Sequence, residues 1–133
     1  MQHESLVYLT LEDLLAMITA ELRDPRSVIA DVGLLEAAVH RPGTDVFGIE
    51  AYPGVHAKAA ALLHSLVTPH PLVDGNKRLG ALSLLVFYGL NGLDVTATDD
   101  ELYDMIIAVA DGSEREVARI AARLAAHTRS MPA

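Results

Sequence analysis

Apolar residues recur at helical spacing through most of the chain, and the strict alternation of a surface strand is confined to one short stretch. Leu11, Leu14, Leu15 and Ile18 form the first apolar face. Thr10 opens that helix as a cap, and Pro25 is expected to end it, with residues 5–9 as a short extended lead-in. Asp31 is placed to cap a second helix through Val39, which stops before Pro42. Residues 41–52 hold two glycines, a proline and the alternating Val46, Phe47 and Ile49, the pattern of a loop or an irregular hairpin.

Pro53 suits the first turn of a third helix reaching Val67, with Val55, Ala59, Leu62, Leu63 and Leu66 on one face. Pro69 and Pro71 stop it. A fourth helix is expected to start between Gly75 and Lys77 and to end at Asn91-Gly92, where glycine permits a left-handed terminator. It is apolar nearly all round from Leu79 to Leu90, which predicts a central, buried helix. Thr98 or Asp99 caps a fifth helix to about Ala110. Ser113 with Glu116 forms a capping box for a sixth, ending near His127. The expected fold is all-α, a compact bundle of five or six helices around that central helix, with a short irregular flap. No linker or repeat divides the 133 residues, so they read as a single domain, 1–133.

Hydrophobic residues make up 51% of the chain and mean hydropathy is +0.29. That is high for so small a domain, and it suits a protein with part of its surface covered by a partner. The longest apolar run, residues 81–90, is too short to span a bilayer. The first ten residues lack the basic and apolar regions of a secretory leader, so a cytoplasmic location is expected. The absence of cysteine excludes a disulfide scaffold and any thiolate nucleophile. A formal net charge of −8 argues against general nucleic-acid binding. Arg115, Arg119 and Arg123, four residues apart, read as the solvated face of a helix.

Against this acidic background, Lys77 and Arg78 stand together directly before the most apolar helix. Residues 70–78 read His-Pro-Leu-Val-Asp-Gly-Asn-Lys-Arg. Gly75-Asn76 permits a tight turn, and the unpaired N–H groups of the following helix, with its dipole, favour an anion. An ammonium and a guanidinium at the same place mark that anion as phosphate. Asp74 would suit the Mg²⁺ that commonly accompanies phosphate. His70, one short loop away, is the side-chain type best suited to take a proton from an attacking hydroxyl at neutral pH. Taken singly, each residue has a plain structural explanation; base, metal ligand and phosphate cradle within nine residues form a specific set.

Residues 70–78 resemble the signature of the Fic family, His-Pro-Phe-x-Asp/Glu-Gly-Asn-x-Arg. The resemblance to its death-on-curing (Doc) subgroup extends to Asp31-Val-Gly-Leu-Leu-Glu-Ala-Ala-Val-His-Arg-Pro42, to Ala57-Lys-Ala-Ala-Ala-Leu-Leu-His-Ser-Leu66 and to Asn91-Gly-Leu93, about three-quarters of the chain. Members that transfer AMP have glycine after the motif asparagine and a second arginine three residues past the first; here those positions are Lys77 and Ala81. The resemblance therefore implies a toxin of a toxin–antitoxin pair. Its reaction would be kinase-like, moving the terminal phosphate of ATP to a hydroxyl of elongation factor Tu and stopping translation.

In that scheme His70 is the general base and Asp74 binds Mg²⁺. Asn76, Lys77 and Arg78 hold the phosphates, and Gly75 allows close backbone approach. Residues 44–51 would be a flap that pairs with the target's extended backbone. Leu72 departs from the motif phenylalanine, at a cost of about 1–2 kcal/mol if its pocket does not adjust, and bears on loop rigidity more than on chemistry. Many Fic proteins carry an inhibitory helix with Ser/Thr-x-x-x-Glu. No serine or threonine here has glutamate four residues later, so restraint is expected from a separate antitoxin helix near Arg78. The competing readings are an adenylyltransferase, a catalytically silent binding module and, a poor third, a zinc hydrolase using His56, His64 and His70.

Overall fold

A computed structural model describes residues 5–132. The first four residues of the stretch read above for a leader, together with Ala133, lie outside the described residues.

Thr10 opens α1 (Leu11–Glu21) with a reciprocal cap: its hydroxyl accepts from the Asp13 N–H, and Asp13 Oδ2 accepts from the Thr10 N–H. This cap satisfies two backbone donors at the helix start. The helix buries Leu14 and Ile18. Pro25 does not serve only as a stop. It opens a four-residue helix, α2 (Pro25–Val28), because its fixed φ suits a first helical position and Asp24 caps it through the Arg26 N–H. As expected, Asp31 caps α3 (Val32–His40), accepting from the Leu34 N–H.

A 3₁₀ turn (Arg41–Gly43) leads into an antiparallel hairpin of β1 (Asp45–Val46) and β2 (Ile49–Glu50), with Asp45 opposite Glu50 and Val46 opposite Ile49. The irregular stretch is thus a true hairpin. Its turn residues Phe47 and Gly48 have φ of 53° and 81°, the left-handed pair that a two-residue hairpin loop demands. Next comes α4 (Val55–Val67), capped by Gly54 at φ 88°; Pro53 stays outside the helix, two residues before its first turn begins.

The fourth long helix, α5 (Asn76–Leu90), begins at Gly75 and ends at Asn91-Gly92, as the residue pattern predicts. A short strand, β3 (Leu93–Val95), precedes α6 (Asp99–Ala110), whose capping box joins Thr98 and Glu101. The last helix, α7 (Val117–Ala125), starts later than expected. Ser113 does not box with Glu116, because its hydroxyl and N–H both bond the Asp111 carboxylate and close the turn instead. The chain then forms β4 (Thr128–Ser130), antiparallel to β3 with Val95 opposite Thr128. This pair has no signal in the pattern, since three-residue strands show too little alternation to read. The architecture is the helical fold expected, with seven helices and two small two-stranded antiparallel sheets among the described residues.

The buried centre, however, is α4 rather than α5. Residues Lys58, Ala59, Ala60, Ala61, Leu62, Leu63, Leu66 and Val67 are all buried, with α3, α5, α6 and α7 packed around them. The alanines keep α4 thin enough to be enclosed. On α5, Leu79, Leu84, Phe87 and Tyr88 face this core, while Leu85, Val86 and Leu90 are exposed. An all-round apolar pattern reports apolar faces and cannot say whether each one has a neighbour.

Candidate active site

Two rigid helices place the motif. The end of α4 at Val67 and the start of α5 at Asn76 are joined by a loop whose backbone is stitched to the segment after α2. The Pro71 carbonyl accepts from the N–H groups of Ala30 and Asp31, Leu72 bridges Ile29, and the Val73 N–H donates to the Val28 carbonyl at 2.7 Å. Leu72 is 2% exposed and belongs to the core, so the departure from phenylalanine is accommodated by burial and backbone pairing.

Asn76 locks the loop from inside. Its Oδ1 accepts from the Leu72 N–H at 2.9 Å, and its Nδ2 donates to the Leu72 carbonyl at 2.9 Å. Nδ2 also lies 3.4 Å from His70 Nδ1. Of the residues expected to hold phosphate, Asn76 thus turns its side chain into the loop. Its polar atoms are committed to Leu72, and what this residue can offer an anion is its backbone N–H in the first turn of α5.

His70 is exposed, with φ 55°. That left-handed conformation is uncommon for a residue with a Cβ, and such strain concentrates at functional sites. Gly75 has φ 95°, and a Cβ there would lie 3.0 Å from Leu22 Cδ2. The backbone conformation therefore calls for glycine at this turn, and the close Leu22 side chain adds to the preference.

His70, Asp74, Gly75, Asn76, Lys77 and Arg78 all line one cleft of about 910 Å³. Lys77, Arg78 and Asp74 are exposed, and among the described residues none of them forms an ion pair. They remain available to a ligand. The volume lies in the range of small-molecule sites. Ala81 is part of the wall at the position where a second arginine would stand. The cleft also contains residues that the sequence does not single out: Arg23 and Ser27 around α2, and Leu85, Leu102 and Tyr103 from the facing sides of α5 and α6. Nothing in their local spacing marks them, since only packing brings α2 and α6 to the motif.

The other two histidines of the zinc reading, His56 and His64, have partners elsewhere. His56 Nδ1 lies 2.9 Å from the Tyr88 hydroxyl, and His64 Nδ1 lies 2.9 Å from Arg41 Nη1. Burial lowers the pKa of both rings, and the Arg41 charge lowers that of His64 further. Burial pushes the Tyr88 phenol up, which keeps it neutral. Among the described residues no group of three or more His, Asp or Glu could hold a metal, which removes the zinc reading. A lone carboxylate such as Asp74 instead fits Mg²⁺, a metal that takes one or two protein oxygens and fills its shell with phosphate oxygens and water.

The sequence pattern of the Fic/DOC family matches residues 5–88, a span that includes the whole motif. The chain belongs to the Fic/DOC family. A curated relative, Toxin Doc of Mycolicibacterium smegmatis (strain ATCC 700084 / mc(2)155), is 49% identical over 72 residues. That match covers 54% of this chain and 55% of the relative, about half the length of each. The Fic/DOC motif lies within the region of family likeness, as do Arg41, Lys58 and the hairpin between them. Among the described residues, no helix is long and apolar enough to cross a membrane.

Proposed function

We propose that this protein is the toxin of a toxin–antitoxin pair. It would transfer the terminal phosphate of ATP to a serine or threonine hydroxyl of a translation factor resembling elongation factor Tu. The observation that carries this reading is the convergence of His70, Asp74, Lys77 and Arg78 on one cleft at the N-terminus of α5.

Lys77 and Arg78 supply two free cations, and the first amide groups of α5 add aligned N–H donors for phosphate oxygens. Gly75 supplies the left-handed turn that sets the first amide groups of α5 at the cleft. Asp74 is the residue that would hold Mg²⁺, which when bound neutralises phosphate charge and orients the donor. His70 would accept the proton of the acceptor hydroxyl as that oxygen attacks the terminal phosphorus. The stitched loop sets the direction in which the His70 side chain leaves the backbone, and Asn76 Nδ2 lies 3.4 Å from its Nδ1. Lys77 favours terminal-phosphate over AMP transfer, since a long cation after the motif asparagine fills space that the leaving diphosphate of an AMP donor would need. Ala81, where AMP-transferring relatives have arginine, points the same way.

A separate antitoxin chain would restrain the enzyme. Leu85 and Tyr103 are exposed on the cleft wall, 46% and 58%, which suits an amphipathic helix laid there with an acidic or hydroxyl group near Arg78. The deciding experiment incubates the protein with ATP, Mg²⁺ and purified elongation factor Tu and reads the acceptor by mass spectrometry. A gain of one phosphate on a single peptide is expected. A gain of one AMP would make the protein an adenylyltransferase, and no gain on any protein of a whole lysate would make it a silent binding module.

A further inference from the structure

Every residue from Gly43 to Ala51 is exposed, and Phe47 is fully so. A hairpin of two-residue strands is marginal by itself, so its orientation must be imposed from outside. The attachment lies at its feet. Lys58, in the first turn of α4, is only 2% exposed. Its ammonium donates to Glu50 Oε1 at 2.9 Å and to the Tyr52 carbonyl at 2.6 Å.

At the other foot, Arg41 donates from Nε to the Tyr52 hydroxyl at 2.8 Å and sits 5.1 Å from the centre of that ring. Its Nη1 reaches Ser65 Oγ and His64 Nδ1 on α4. Tyr52 is thus held at its carbonyl by one cation and at its hydroxyl by another. Both cations are tied to α4, the helix that leads directly to His70.

Burying an ammonium is unfavourable unless close partners replace water, and a plain connector would need no such group. Here the ion pair has a directional effect. Neighbouring side chains on a strand face opposite ways, so drawing Glu50 in to Lys58 turns Ile49 outward, on the same side as its partner Val46. Ile49 and Val46 are 72% and 55% exposed.

We propose that Lys58 is a positioning residue: through Glu50 and Tyr52 it holds the hairpin in fixed register with α4, the helix that leads to His70, so that a protein acceptor is bound at the hairpin's edge in a reactive pose. This role rests on the function proposed above. The anchoring it requires is a separate physical claim with its own readout.

Two variants test it. Lys58→Met keeps the stem and removes the charge. Glu50→Gln changes the half-exposed partner, so the fold survives even where the buried substitution fails. Amide hydrogen exchange at residues 45–50 should accelerate in both, with exchange in α5 unchanged. With labelled ATP and purified elongation factor Tu, KM for the protein acceptor should rise about tenfold, the effect of losing one charge-assisted hydrogen bond that orders a loop. Turnover at saturating acceptor and KM for ATP should stay within about twofold of wild type. Unchanged exchange at 45–50 overturns the proposal, and so does faster exchange with an unmoved acceptor KM. If the wild-type protein labels no acceptor, the functional reading fails, while exchange still decides whether Lys58 holds the hairpin.

Discussion

His70 combines exposure with a left-handed backbone, and the two have a common origin. Pro71 and Leu72 are pinned to residues 28–31, and the Asn76 carboxamide grips Leu72, so the loop turns sharply at His70, directly before the pinned pair. The strain, of order 1–3 kcal/mol, is borne by these contacts. If the imidazole serves the acceptor rather than the nucleotide, as proposed, His70→Ala should lower transfer by about 10²-fold or more and leave nucleotide affinity unchanged. Calorimetric titration of ATP alongside a transfer assay measures both. A parallel loss of binding and turnover would assign the ring to the donor instead.

Among elements, the contact that matters most is between α4 and α5. A Cβ at Gly80 would lie 2.7 Å from Val67 Cγ1 and 3.0 Å from Leu63 Cδ1. Gly80→Ala gains helix propensity but must push the two helices apart, and overpacking of this kind costs about 1–3 kcal/mol. Thermal denaturation should show a lower Tm than wild type; an equal or higher Tm would mean that the helices part freely. Separation here would also shift the loop between them, so transfer activity should fall with stability.

The histidines of α4 make this layer sensitive to acid. His64 is held neutral by burial and by Arg41, and its Nδ1 faces the Arg41 guanidinium as an acceptor. Its folded pKa lies below the ordinary histidine value of about 6.5, so the unfolded chain takes up the proton first as pH falls. The stabilisation is complete above that value and declines below it, down to the lowered folded pKa. His56, lowered by burial, acts in the same direction. Tm should therefore drop as pH falls below about 6.5, and His64→Gln should flatten the decline. A Tm insensitive to pH in both proteins would show that neither ring is held neutral.

For the whole molecule, the apolar excess is visible as surface. Leu85, Val86 and Leu90 on α5, Tyr103 on α6 and Met131 near the C-terminus are exposed, and Leu85 and Tyr103 border the cleft. A partner helix that covered them would also close the cleft. Expression of the protein alone should therefore arrest growth of a bacterial host, and His70→Ala should relieve the arrest. Plating efficiency on induction measures it. Harmless high-level expression of the wild-type protein, in a host whose elongation factor has the acceptor hydroxyl, would count against the toxin reading.

Local chemistry made much of this protein legible from residue order alone. Thr10, Asp31 and Thr98 set helix starts because a cap is a bond between neighbours in sequence. Gly75 and Gly92 set turns because φ is a local property. The motif residues 70–78 are contiguous, so they must lie near one another in almost any fold. Everything dependent on distant partners was decided by packing. Whether α4 or α5 is enclosed depends on what stands on each side, and the pairing of β3 with β4 joins segments more than thirty residues apart. The Asn76 side chain was drawn into the loop by Leu72, and the cleft gained Arg23 from the turn before α2 and Tyr103 from α6. Lys58, one of only two lysines, has nothing in its helical surroundings to distinguish it from a surface charge. Tertiary structure buries it beneath the hairpin, where removal from water leaves the ammonium dependent on Glu50 and Tyr52.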